Sequence, residues 1–275
     1  MSELILKGSD VRKYNEWVRT INEKMYRPYL TVRKVNKYGR RHWLWCDIQK
    51  REVHLLSDGE RRAYEIMISQ PGTVSIFEQY ALDVNETLSI AQDLGFVHPR
   101  NYKTKQLSVM TTDFLVVTQT CDLSGCVDIK KTAYTFKYTT ELYTDSSCTG
   151  FLNSATRTIQ KLKIEQEYWK RRGIEYRLLT EVFATKERHW NILFCRLNPV
   201  KVVDVKLAME FSIILSKIWI ANRYCSLQEL IIMCSNVMGI KEYTSESLFK
   251  YSALNGFIKL KHTSCIQLYR AIELE

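Results

Sequence analysis

The sequence lacks the features that would place the protein in a membrane, outside the cell or around a zinc ion. No stretch reaches the ~18 uncharged apolar residues that a bilayer span requires. The best candidate, 205–221, is broken by Lys206, Glu210 and Lys217. The leading Met1-Ser2-Glu3-Leu4 carries an acid where a secretory leader has base, and no long apolar core follows. A cytoplasmic protein with no membrane partner is therefore expected. Eight cysteines form no CxxC pair, and Cys121 and Cys126 have no second pair at metal-ligand spacing. Cys46, Cys195, Cys225 and Cys234 stand among apolar neighbours, where a free thiol behaves as a small hydrophobe. Internal repeats and low-complexity tracts are absent as well.

What is present describes a folded chain with a basic front end. At 275 residues, 45% hydrophobic and 25% charged, it is long enough for one large or two ordinary domains. The net charge of +10 is uneven, since residues 1–62 hold 15 Lys/Arg against 8 Asp/Glu while the remainder holds 25 against 22. Arg33, Lys34, Lys37, Arg40 and Arg41 are interleaved with Tyr38, Trp43 and Trp45. Cations for phosphates and aromatics for packing suit a polyanion, double-stranded DNA first, although a solvated basic face gives the same count.

Apolar runs 29–32 and 43–46, separated by Lys37-Tyr38-Gly39-Arg40, suggest a hairpin. Ser57-Asp58-Gly59-Glu60 opens a helix to about Ser69, ended by Pro71-Gly72. A strand over 74–82, a helix over 85–94, and strands over 107–119 and 127–136 joined by a turn with Asp122 and Gly125 follow. A long helix over 154–172 and a buried strand over 174–179 complete an α/β sandwich around a mixed sheet, domain 1–181. Beyond it, helices over 205–222, 226–237 (with a Ser226/Glu229 capping box) and 244–255 precede a hairpin of 257–260 with 265–269. Three helices and a hairpin describe a winged-helix domain, 182–275. Its second-to-last element offers only Lys250 as a cation, beside Thr244, Ser245, Ser247 and Tyr251, which favours a protein partner over DNA. Ile213, Ile214, Trp219, Ile231, Ile232 and Met233 are expected in its core.

Glu60, Asp113, Asp128 and Lys130 form the candidate chemical constellation. Asp113 heads the apolar Phe114-Leu115-Val116-Val117, where an ionised carboxylate is expensive unless paired or holding a cation. Asp128 and Lys130 share a face of the next strand, with Lys131 opposite, and a hairpin is expected to bring Asp128 beside Asp113. Phosphodiester hydrolysis needs hard oxygen ligands for Mg²⁺ and a cation near the attacked phosphate. Asp113, Asp128 and Glu60 would hold the metal and Lys130 would serve water and phosphate. Each residue also has a plainer role: Glu60 as the acid of a capping box, Asp113 in a turn, Asp128 and Lys130 in a salt bridge on an edge strand.

The ordered segments His54–Glu60, Phe77–Leu82, Gly95–Pro99, Thr111–Val116, Val127–Lys130, Glu165–Trp169 and Gly173–Tyr176, with a weaker Leu254–Lys259, resemble the TnsA family of strand-nicking transposase subunits. The resemblance runs from about Tyr29 to Glu181. It implies a restriction-endonuclease-like fold of the PD-(D/E)xK type and Mg²⁺ or Mn²⁺ dependence. It further implies nicking at the 5′ ends of a transposon on the bacterial nucleoid, beside a TnsB-like DDE transposase and a TnsC-like AAA+ ATPase docked on the C-terminal domain. The family's acid, aspartate and lysine fall on Glu60, Asp113 and Lys130. Asp128 stands where the family often has glutamine, and Thr112 replaces the motif's proline. A free-standing restriction or repair nuclease and a non-enzymatic winged-helix regulator are the alternatives.

Overall fold

The computed structural model describes residues 6, 8–23, 25–35, 39–101, 104–121, 127–142, 152–197 and 204–275. Two compact units emerge, residues 1–64 with 72–183 and residues 65–71 with 184–275.

In the first unit the sequence's alternating and continuous apolar runs become a mixed sheet. The unit's strands are β1 (His42–Cys46), β2 (Arg51–Leu55), β3 (Thr73–Ala81), β4 (Thr111–Cys121), β5 (Val127–Phe136) and β6 (Glu175–Leu179), of which β1 and β2 form a separate two-stranded sheet. β3-β4-β5-β6 form one sheet in that order, antiparallel except for the parallel β5–β6 pair. That pair needs a long crossover, which the 20-residue helix Leu152–Arg171 supplies. Ile164, Tyr168 and Trp169 of this helix pack with Leu82, Ile90, Leu115 and Ala133. The helix Val84–Asp93 joins the same core; Asp83 caps it by accepting from the Glu86 amide at 2.9 Å. An N-terminal helix, Ser9–Asn22, places Tyr14 and Trp17 against Tyr29, Ala81 and Val84.

Two expectations for this unit need correction. The N-terminal hairpin pairs β1 with β2, not 29–32 with 43–46. Residues 29–34 instead turn, the Lys34 amide donating to Thr31 and the Tyr29 amide to Gln79 of β3. β6 is an edge strand and mostly exposed rather than buried. The expected turn residues Asp122 and Gly125, with Lys37 and Tyr38, lie outside the described residues.

The second unit contains helices Lys186–Arg196, Val205–Ala221, Leu227–Met238 and Glu242–Leu254, packed through Phe211, Leu215, Leu230, Cys234 and Phe249. The Ser226/Glu229 capping box is present, and Gly239 at φ 64° ends its helix. The hairpin of 257–260 with 265–269 does not form. Lys261 instead donates to the Glu273 carbonyl and Glu275 to that of Lys259, both at 2.9 Å. Residues 264–266 are taken by the helix absent from the sequence reading: Trp190 donates to the Ile266 carbonyl, and Asn191 bonds Ser264 and Ile266. Ile231 is buried as expected, whereas Ile213 is exposed.

Candidate metal and phosphate site

β2 runs into the helix Asp58–Ile68, which positions the first carboxylate. Ser57 accepts from the Glu60 amide at 3.1 Å, and the Glu60 carboxylate reaches back to the Leu56 amide at 2.9 Å. Only half of the anticipated capping box forms, because the Glu60 carboxylate takes the Leu56 amide rather than that of Ser57; the side chain also faces inward, only 8% exposed. Gly59 permits that approach: a Cβ there would stand 2.1 Å from the Phe136 ring. Asp113, on β4, is 9% exposed and accepts the Phe136 amide at 2.8 Å. Between the two carboxylates sits the Gln79 amide, 3.2 Å from Glu60 and 3.4 Å from Asp113.

Burial and then Asp113's charge push the Glu60 carboxyl up to about 8. Burial likewise raises Asp113, opposed by Lys137. A third acid, Glu165 of the crossover helix, accepts from the Thr135 hydroxyl and is pushed up to about 7 by burial and then by Asp113. Burial alone would depress Lys137, but Asp113, followed by Glu141, Glu60 and Glu165, holds its ammonium above the ordinary lysine value. Buried acids that repel one another, with one cation among them, form a site that favours added positive charge.

Asp128 and Lys130 are not brought to this site. β4 and β5 pair Phe114 with Tyr134, Thr118 with Lys130 and Thr120 with Asp128. Continuing that register by one step sets Asp113 beside Thr135, and Asp128 lies roughly 23 Å farther along at ~3.3 Å per residue. Asp128, Lys130 and Lys131 are exposed, and Lys130 pairs with Glu175 at 2.9 Å, the edge-strand salt bridge that the sequence left open. The corrected segment is Thr135-Phe136-Lys137. A usable signal existed: with Cys121 paired to Val127 the hairpin is centred on position 124, which sets 113 against 135. Gln79 and Glu165 were missed too, since strand and helix periodicity says nothing of which buried polar residues converge.

Among the described residues no group of three or more His, Cys, Asp and Glu side chains is close enough to hold a metal unaided. Mg²⁺ is commonly held by one or two carboxylates with waters completing its shell. Glu60 and Asp113, hard oxygen donors whose burial disfavours their own charge, fit such an ion.

The basic segment is partly consumed internally. Arg41 donates to the Val32 and Val35 carbonyls, clamping the turn. Arg33 lies 4.4 Å from the Trp43 ring, which stacks on His54 at 5.5 Å and 17°. These residues, with Tyr26, Arg27, Arg51 and Glu52, line an open cavity of about 490 Å³.

Residues 70–181 match the family model described as TnsA-like endonuclease N terminal. The chain is 31% identical over 160 residues to the transposon Tn7 transposition protein TnsA of Escherichia coli, an alignment covering 58% of this chain. It spans about half, 51%, of that relative's length. The matched segment holds Gln79, Asp113, Lys137 and Glu165, and over that region the chain is similar to TnsA-like endonucleases.

Proposed function

We propose that this protein is a metal-dependent DNA endonuclease that nicks the 5′ ends of a transposon. The observation that carries the reading is the convergence of Glu60, Asp113 and Lys137 at one end of the β3–β4–β5 sheet. Glu60 and Asp113 would hold Mg²⁺ or Mn²⁺, which when bound supplies charge neutralisation at the attacked phosphate and lowers the pKa of water. Lys137, kept protonated by its acidic surroundings, acts as an electrostatic donor to a nonbridging phosphate oxygen rather than as a base. Glu165 and Thr135 back the site from the crossover helix and β5. Arg33, Lys34 and Arg40 supply phosphate contacts in this reading, as would Lys37. Arg41 shapes the loop that carries them.

The relative's role in transposition extends the proposal to a TnsB-like DDE transposase and a TnsC-like AAA+ ATPase as partners. The C-terminal helices, with the antiparallel bridge of Leu260 and Leu274 in the place of a wing, support a winged-helix reading. Its helix Glu242–Leu254 favours a protein partner over DNA. Lys250 there is paired with Glu246 at 2.6 Å, and Ser245 is buried on the Ile231 carbonyl.

Nicking of labelled transposon-end DNA in Mg²⁺, with and without the TnsB-like partner, tests the reading. Asp113→Ala and Lys137→Ala should abolish nicking while Lys130→Ala retains it. Loss in Lys130→Ala with activity in Lys137→Ala would overturn the assignment. Robust cutting without the partner would favour a free-standing nuclease.

A further inference from the structure

Gln79 departs from the strand that carries it. β3 is extended, yet Gln79 has φ 50°, one of three described non-glycine residues with positive φ. A backbone in the left-handed region persists only where its surroundings over-determine it, and such residues gather at functional sites. Here the Gln79 carbonyl is held by the Tyr29 amide, and the preceding carbonyl, of Glu78, accepts from the Tyr26 hydroxyl. The Glu78 carboxylate is locked on Arg51. With the main chain fixed on both sides, the Gln79 side chain is 1% exposed and aimed between Glu60 and Asp113.

The amide's orientation follows from its neighbours. Its NH₂ meets two carboxylates, whereas its carbonyl oxygen accepts from the Thr111 hydroxyl at 3.4 Å. Reversing it would set an oxygen against two carboxylates. The amide group therefore fills, without a formal charge, the place where two acids call for a cation.

We propose that Gln79 is a positioning residue: its carboxamide stands in for the cation between Glu60 and Asp113 and holds the two acids at chelating spacing until a divalent ion displaces it. The assignment rests on the metal-dependent reading above. A neutral donor suits the task, because a lysine at this position would compete permanently with the ion, and an apolar side chain would leave the acids without a donor.

Gln79→Leu tests this, since leucine meets the same backbone strain as glutamine but donates nothing. Mn²⁺ titration by calorimetry and thermal melts with and without saturating Mn²⁺ are compared with wild type at one pH. The metal-free variant should melt several degrees lower and recover most of the difference in Mn²⁺, with Mn²⁺ binding about tenfold tighter. Gln79→Asn, which keeps a shorter donor, should fall between the two. A melting point lowered equally with and without Mn²⁺, or Mn²⁺ affinity unchanged or weakened, would show an ordinary packing role and overturn the proposal. A wild type that binds no Mn²⁺ would remove the metal reading itself, and this assignment with it.

Discussion

Removing one charge from the acidic cluster should change how stability depends on pH. Glu60 is an acid whose carboxyl, ordinarily near 4.5, is raised to about 8 in the folded chain. The folded state therefore binds its proton more tightly than the unfolded state does. The resulting stabilisation is complete below pH 4.5 and is lost as pH rises through about 8. At 1.36 kcal/mol per pH unit, the interval from 6 to 8 corresponds to ~3 kcal/mol, shared with the neighbouring Asp113 because the pair holds a proton jointly. For a unit of this size that is a fall in Tm of roughly 6–12 °C. Glu165, pushed to about 7, adds to the lower half of the same interval. Metal-free wild type melted between pH 6 and 9 should show this decline, and saturating Mg²⁺ should flatten it. Glu60→Gln, which keeps an acceptor for the Leu56 amide, should lose at least half of it. Equal melting points at pH 6 and 8.5, or an undiminished slope in Glu60→Gln, would refute the reasoning.

Three further outcomes follow from the geometry. Gly59→Ala should lower stability by ~1–3 kcal/mol and nicking by more than tenfold, because its Cβ meets the Phe136 ring and tilts Glu60 away; wild-type activity would refute this. Replacing Arg33, Lys34 and Arg40 together by Ala should weaken DNA binding and reduce its salt dependence by up to about three phosphate contacts, read from affinity against salt concentration. Calcium should occupy the Glu60–Asp113 site but support little nicking, since it tolerates looser geometry than Mg²⁺; equal turnover in the two ions would count against the site.

Periodicity and turn residues made most of the secondary structure legible: β3, β5, the Val84–Asp93 helix, the crossover helix and three of the C-terminal helices all follow from them. What escaped depended on long-range pairing. The strand Arg51–Leu55 is polar at alternate positions and too short to stand out, and Lys186–Arg196 reads as a mixed segment until Asn191 is seen holding the 264–266 backbone. Glu60 and Asp113 were visible because a carboxylate at a buried position is costly and draws notice. Lys137 was hidden by a motif spacing that assumed short strands. The hairpin of β4 and β5 is long enough to carry Asp128 and Lys130 away from Asp113, and only its register reveals the lysine that belongs there.

Anomalous scattering from a crystal soaked in Mn²⁺ tests the central claim most directly. One ion should lie between Glu60 and Asp113, with the Gln79 amide moved aside and Lys137 nearby. An ion at Asp128 and Lys130, or none in the presence of an intact Glu60–Asp113 pair, would contradict the account.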